Sequence, residues 1–223
     1  MPDLIKPFEI MHSARISREE VDCVRSALED VLELFGVYYQ TNICERRDLI
    51  DTIEDEISKN MTGLGLEYGN QMDYFEFLEG LRKKGVLTEK KYGIVIVDKD
   101  LCWKDNKENL DPLFIIGGYY EYGNYLRAIA ISPVRLKGYA DEKELIKTNG
   151  FHEIGHLLNA ADGRTGKTLE GRKVIDHCGN EDMMTQYDFI PDSVIELTEK
   201  RLESGKIYCD TCIREIKDYL KCK

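Results

Sequence analysis

Residues 92–97 read Tyr-Gly-Ile-Val-Ile-Val, a run without one charged side chain. A strand that is apolar on both sides must be covered on both faces. That is the habit of a sheet sandwiched between helices, not of a sheet with one wet face. Residues 113–116 and 126–131 are the next strand candidates, and GGYYEYGNY between them reads as a turn or an edge strand. The helices are marked as clearly. Ser17 and Glu20 form a capping box, with Ile16 and Val21 as its hydrophobic staple. Val21, Val24, Leu28, Val31 and Phe35 then recur at helical spacing until Gly36. A strand is expected over 37–43, a second helix through Ile50, Ile53 and Ile57, a glycine-rich loop over 61–70, and a third helix over 72–84. Residues 141–158 read as a further helix, and beyond Asn159 the chain looks loop-rich. The expectation is one α/β domain over 1–223, with an N-terminal subdomain (1–159) and an irregular, metal-stapled C-terminal one (160–223).

The 223 residues carry a formal net charge of -11, which argues against nucleic acid as a partner because phosphate binding needs a basic patch. No run of about 18 apolar residues is present, so no membrane span is expected. The opening MPDLIKPFEIMHSARIS lacks the basic-then-apolar pattern of a secretory leader, which makes a cytoplasmic location the expectation. The seven cysteines fit a reducing compartment. Their count is odd, and Cys178, Cys209, Cys212 and Cys222 crowd the C-terminal part, as metal ligands do more often than disulfide frameworks. Cys23 and Cys44 read as ordinary buried thiols.

Residues 152–156 are His-Glu-Ile-Gly-His. On a helix, positions i and i+4 share one face, so His152 and His156 can hold one Zn²⁺ together. Glu153 is then positioned as the general base that acts on a metal-activated water. A catalytic zinc needs a third protein ligand and an open position. Asp162, six residues beyond His156, and His177 both qualify. Asn159 suits the left-handed turn that ends such a helix.

In chain order these residues resemble the archaemetzincins, a branch of the metzincin zinc peptidases. The resemblance rests on HEIGHLLN at 152–159, His177-Cys178, the Met183–Met184 pair and Cys209-x-x-Cys212, with AISPVRL (130–136) and GIVIVDKDLCW (93–103) upstream. It implies a metzincin-like twisted mixed sheet with an active-site helix, and two zinc ions, one catalytic and one structural. It also implies a Met-turn, for which Met184 is favoured, and peptide bound along an edge strand, for which 114–120 is the candidate.

Three departures keep the ligand sets open. Asn159 replaces the family's glycine, GRTGKTLEGRKVID (163–176) intervenes before His177-Cys178, and Asp182 stands where a second cysteine is expected. In one partition His152, His156 and His177 form the catalytic set, while Cys178, Cys209 and Cys212 with Asp182 or Cys222 form the structural one. In the other, Asp162 completes the catalytic set and His177 joins the three cysteines. A glutamate ligand, Glu170 or Glu181, is a third arrangement.

The function expected is a zinc-dependent peptidase acting on a peptide or protein substrate, with Glu153 as general base. The rival readings are a zinc-stabilised binding protein without turnover and a zinc amide hydrolase for small substrates. Tyr187 is a candidate for oxyanion stabilisation, against its plainer reading as a packed aromatic. The late C-x-x-C also has a redox reading, but thioredoxin-like pairs follow the first strand of a βαβ unit.

Overall fold

The structure is a computed structural model and describes residues 6–37, 40–44, 47–62, 71–103, 113–123, 126–169, 171–180, 182–187 and 190–221. Its contacts group into two compact units. One comprises Lys6–Val21 and Gln40–Lys137; the other comprises Asp22–Tyr39 and Gly138–Lys223.

The first unit is built on a mixed sheet. Strand β1 (Phe8–His12) is followed by helix α1 (Arg18–Leu34), whose first turn belongs here and whose remainder belongs to the second unit. Next come β2 (Thr41–Cys44), α2 (Arg47–Thr62), β3 (Gln71–Asp73), α3 (Tyr74–Lys83), β4 (Tyr92–Ile96), β5 (Asp100–Trp103), β6 (Leu113–Ile115), β7 (Gly117–Tyr122) and β8 (Leu126–Ile131). The main sheet has the order β2-β1-β4-β8-β7. β1, β2, β4 and β8 are parallel, and β7 runs antiparallel along the edge of β8. β3, β5 and β6 form a smaller sheet. The apolar run from Tyr92 supplies the middle strand, β4, buried at every position. Met11, Val95 and Ala130 of the sheet pack with Ile50, Ile53, Phe77 and Leu81 of the helices in one core. Such burial is the dominant favourable term in folding a sheet of this kind.

Local chemistry fixes the ends of these elements. Ser17 N–H donates to Glu20 Oε2 at 2.6 Å and Glu20 N–H to Ser17 Oγ at 3.2 Å, the reciprocal capping box expected from the sequence. Arg135, just beyond β8, grips Asp100 of β5 with two N–H donors, each at 2.6 Å, so the two upstream segments of the family resemblance meet in one bidentate pair. GGYYEYGNY resolves as the edge strand β7, except that residues 124 and 125 lie outside the described residues, as do 63–70 of the expected glycine-rich loop.

The second unit contains the remainder of α1, then α4 (Glu142–Leu157), a hairpin of β9 (Thr165–Lys167) and β10 (Lys173–Ile175), α5 (Asp192–Ser204) and α6 (Asp210–Lys221). The part beyond Asn159 therefore holds more regular structure than its sequence suggests: two helices and a hairpin. α4 is buried on nearly all sides, polar Thr148, Asn149, His152 and Glu153 included. The hydroxyls of Thr198 on α5 and Thr148 on α4 are hydrogen-bonded at 2.8 Å, and Arg201 pairs with Glu144. Asn159 ends the helix with φ 67°, in the left-handed region. Among the described residues no helix is long and apolar enough to cross a membrane.

Candidate metal centre

Among the described residues two clusters of ligand-type side chains lie in the second unit, and the neighbouring residues His177 and Cys178 fall in different ones. In each cluster the potential ligand atoms all lie within 4.8 Å of one another.

The first cluster is His152, His156 and His177. His152 and His156 sit one turn apart on α4, and their Nε2 atoms are 3.2 Å apart. Two nitrogens at about 2.0–2.1 Å from a tetrahedral ion would stand about 3.3 Å apart, so the spacing already fits zinc. The ring centroids of His177 lie 5.2 Å from His152 and 4.8 Å from His156. The far nitrogens are tied down. His152 Nδ1 donates to the Met183 carbonyl at 2.7 Å, and His177 Nδ1 donates to the Ile175 carbonyl at 2.7 Å. Each bond fixes a tautomer and leaves Nε2 with its lone pair free, the state a metal requires. Burial favours the neutral form of all three rings. It pushes His152 down to about 3, with His177 nearby adding to the effect, holds His156 well below the usual histidine range, and lowers His177.

Glu153 is 3% exposed, and its Oε2 has no hydrogen-bond partner. Burial pushes its carboxyl up to about 8. The Tyr187 ring lies 4.8 Å from that of His152, and its buried hydroxyl is also without a partner. Burial first, and the Glu153 carboxylate second, hold that phenol well above its ordinary range. Met184 packs against α4 at Gly155, where an added Cβ would stand 2.1 Å from the Met184 sulfur. The glycine between the two helical histidines thus makes room for the methionine.

The second cluster is Cys178, Asp182, Cys209 and Cys212. Cys178 and Cys209 place their sulfurs 3.7 Å apart. Thiolates at about 2.3 Å from a tetrahedral ion would stand about 3.8 Å apart, so this set also fits zinc. Asp182 is held by two backbone donors, Met184 N–H to Oδ1 at 2.9 Å and Cys209 N–H to Oδ2 at 2.8 Å. A carboxylate has lone pairs beyond those two bonds. Cys212, acting as donor to Cys178, lowers the Cys178 thiol to about 7, and its own thiol rises accordingly. Arg164 contacts Cys212 from outside the set, a contact that no local sequence signal announces.

Asp162 is exposed and belongs to neither cluster, and His177 lies with the histidines, not with the cysteines. Glu170, Glu181 and Cys222, the other ligand candidates, lie outside the described residues. Among the described residues Cys23, Cys44 and Cys102 form no disulfide. The insertion 163–176 is the β9–β10 hairpin. At Gly166 its backbone lies so close to the His177 carbonyl that a Cβ would come within 2.2 Å of the oxygen.

No family model matches the sequence, and no curated protein matches it. Among solved structures the chain is similar to the crystal structure of archaemetzincin from Methanopyrus kandleri, with a TM-score of 0.57 and 18% sequence identity, covering 97% of each chain. The mixed sheet, the helix bearing the histidines and the cysteine cluster that follows thus form one architecture: the chain has the archaemetzincin fold.

Proposed function

We propose that the protein is a zinc-dependent peptidase. The observation that carries the reading is the convergence of three neutral imidazoles, two of them oriented by backbone carbonyls, with a buried carboxyl adjacent in sequence to the first. His152, His156 and His177 are the ligands of the catalytic ion in this reading. Cys178, Asp182, Cys209 and Cys212 are those of a structural one. Asp162, exposed and apart from the histidines, is not a ligand. Zinc held by the histidines would polarise a scissile carbonyl, make water more acidic and, as a divalent charge near Glu153, favour its carboxylate form.

The chain's own residues supply the remainder. Glu153 accepts a proton from water as it attacks and returns it to the departing amine. The Met183 carbonyl keeps His152 in the ligating tautomer. The packed Met184 supports the floor of the site through Gly155. The substrate class is a peptide or protein, and free thiols in the metal-binding set suit the cytoplasm.

Hydrolysis of peptides and of small amides by wild type and by Glu153→Ala, with metal content measured on both, tests the proposal. Peptide hydrolysis by wild type alone supports it. Two bound zinc ions without turnover would mean a binding protein, and turnover of small amides only would mean another hydrolase.

A further inference from the structure

We propose that Arg164 is a positioning residue of the cysteine cluster and sets how tightly that cluster holds its metal; this rests on the zinc reading above. Three thiolates and one carboxylate around a divalent ion leave a net charge of -2. Most of the charge is buried: Cys212 is 0% exposed, Cys178 1% and Asp182 8%, with Cys209 half-buried. A buried charge is costly unless it is paired or hydrogen-bonded. Neutral donors meet part of that need: Asn180 Nδ2–H reaches the Cys209 sulfur at 3.3 Å, and two backbone N–H groups bond Asp182. The charged donor is Arg164, whose Nη2–H reaches the Cys212 sulfur at 2.9 Å.

The guanidinium is itself held in place. Its Nε lies 3.0 Å from Oε1 of Glu215, which is three residues on from Cys212 along α6. The other oxygen of Glu215 accepts the Ala161 N–H at 2.9 Å, just beyond the end of α4. The Arg164 carbonyl accepts the Asp176 N–H at 2.8 Å, and Gly163 N–H returns a bond to Asp176 Oδ1 at 2.7 Å, closing the base of the β9–β10 insertion. One guanidinium thus donates a hydrogen bond to a sulfur through Nη2 and forms an ion pair with a carboxylate at Nε, two separate directions that the point charge of a lysine covers less well. The segment that separates α4 from His177 supplies the cation that the cysteine cluster lacks.

Outer-shell partners of metal ligands typically change affinity 10–100-fold when removed. Wild type, Cys209→Ser, Arg164→Gln and Glu215→Gln, all full-length, are loaded with zinc, and release to a chromophoric chelator is followed. A second set is loaded with cobalt(II) for spectroscopy. Arg164→Gln should release the cysteine-site zinc about 10–100-fold more readily, with the histidine-site zinc unchanged. Its sulfur-to-cobalt charge-transfer band should move to longer wavelength, because a sulfur that loses an N–H donor gives up an electron more easily. A merely structural role would leave the band in place. Release within twofold of wild type and an unmoved band would overturn the proposal. If Arg164→Gln does not fold, Glu215→Gln decides: faster release supports the role, unchanged release refutes it. If wild type binds fewer than two zinc ions, or Cys209→Ser loses none, the zinc reading itself has failed.

Discussion

Glu54 of α2 and Glu153 of α4 are close counterparts in burial and opposites in surroundings. They are 1% and 3% exposed, each has one oxygen without a hydrogen-bond partner, and burial pushes both carboxyls up to about 8. Around Glu54 stand Asp51 and Asp98, which push the same way, and Lys99 and Arg15, which oppose them. Glu153 has burial as its one cause, and beside it in α4 are two neutral histidines of a set that fits a cation. A buried, unsatisfied carboxyl is therefore not in itself a mark of catalysis. What separates the two is a neighbouring set of lone pairs able to bring in a positive charge.

Replacing each carboxyl by its amide gives the largest expected contrast. Glu153→Gln should reduce peptide hydrolysis on the order of 10²–10⁴-fold while retaining zinc, since it removes the proposed general base and none of the proposed ligands. Glu54→Gln should stay within twofold of wild type. Equal losses in the two variants would erase the distinction drawn between them. Metal content and initial rates on one peptide suffice for this test.

Stripping the metal should divide the molecule next. Cys209→Ser removes a ligand of the proposed structural ion and should cost about 3 kcal/mol or more, a fall in Tm of about 6–12 °C. Combined with Glu54→Gln, the fall should be undiminished, because the two residues belong to different units. A Cys209→Ser protein that melts with wild type and keeps its metal would remove the cysteine cluster from the account.

Titration sharpens the Glu54 half. Its folded-state pKa stands near 8, above the ordinary 4.5, so the folded state holds a proton that the unfolded state has released. The stability linked to that proton is fully present below pH 4.5 and is lost as pH rises through 8. Glu54→Gln should therefore gain on wild type over that window, by on the order of a few kcal/mol at pH 8.5 relative to pH 4.5. Denaturant melts of both proteins across the window measure it, and a pH-independent difference would show that Glu54 ionises freely. The smallest effect concerns the floor beneath Glu153. Gly155→Ala should destabilise by about 1–3 kcal/mol through overpacking against Met184, and the added change Met184→Ala should recover much of the loss.

How much of this was legible in the sequence varies with the physics of each element. The helical histidines could be read because spacing and chemistry coincide on one face, and Asn159 because few residues accept its backbone angle. β4 could be read because a strand buried on both faces needs no alternation. β1 is as deeply buried but carries Glu9, whose charge Lys91 neutralises at 2.6 Å from 82 positions away. A local reading has no access to such a partner. α6 is harder to read, because its amphipathic run of Ile213, Ile216 and Leu220 is short and overlaps the Cys209-x-x-Cys212 motif at its start. Arg164 had no signal at all, since its partners lie some fifty residues downstream.

The register of the main sheet also bears on how the chain folds. β1 hydrogen-bonds to β4 and β4 to β8, pairing Ile10 with Ile94 and Ile94 with Ile129. β1 stays incomplete on one side until more than eighty residues have been made after it. Parallel pairings this distant close slowly, because a long loop must be ordered before any contact rewards it. During synthesis β1 would thus be a largely apolar segment left unpaired on one side until β4 arrives.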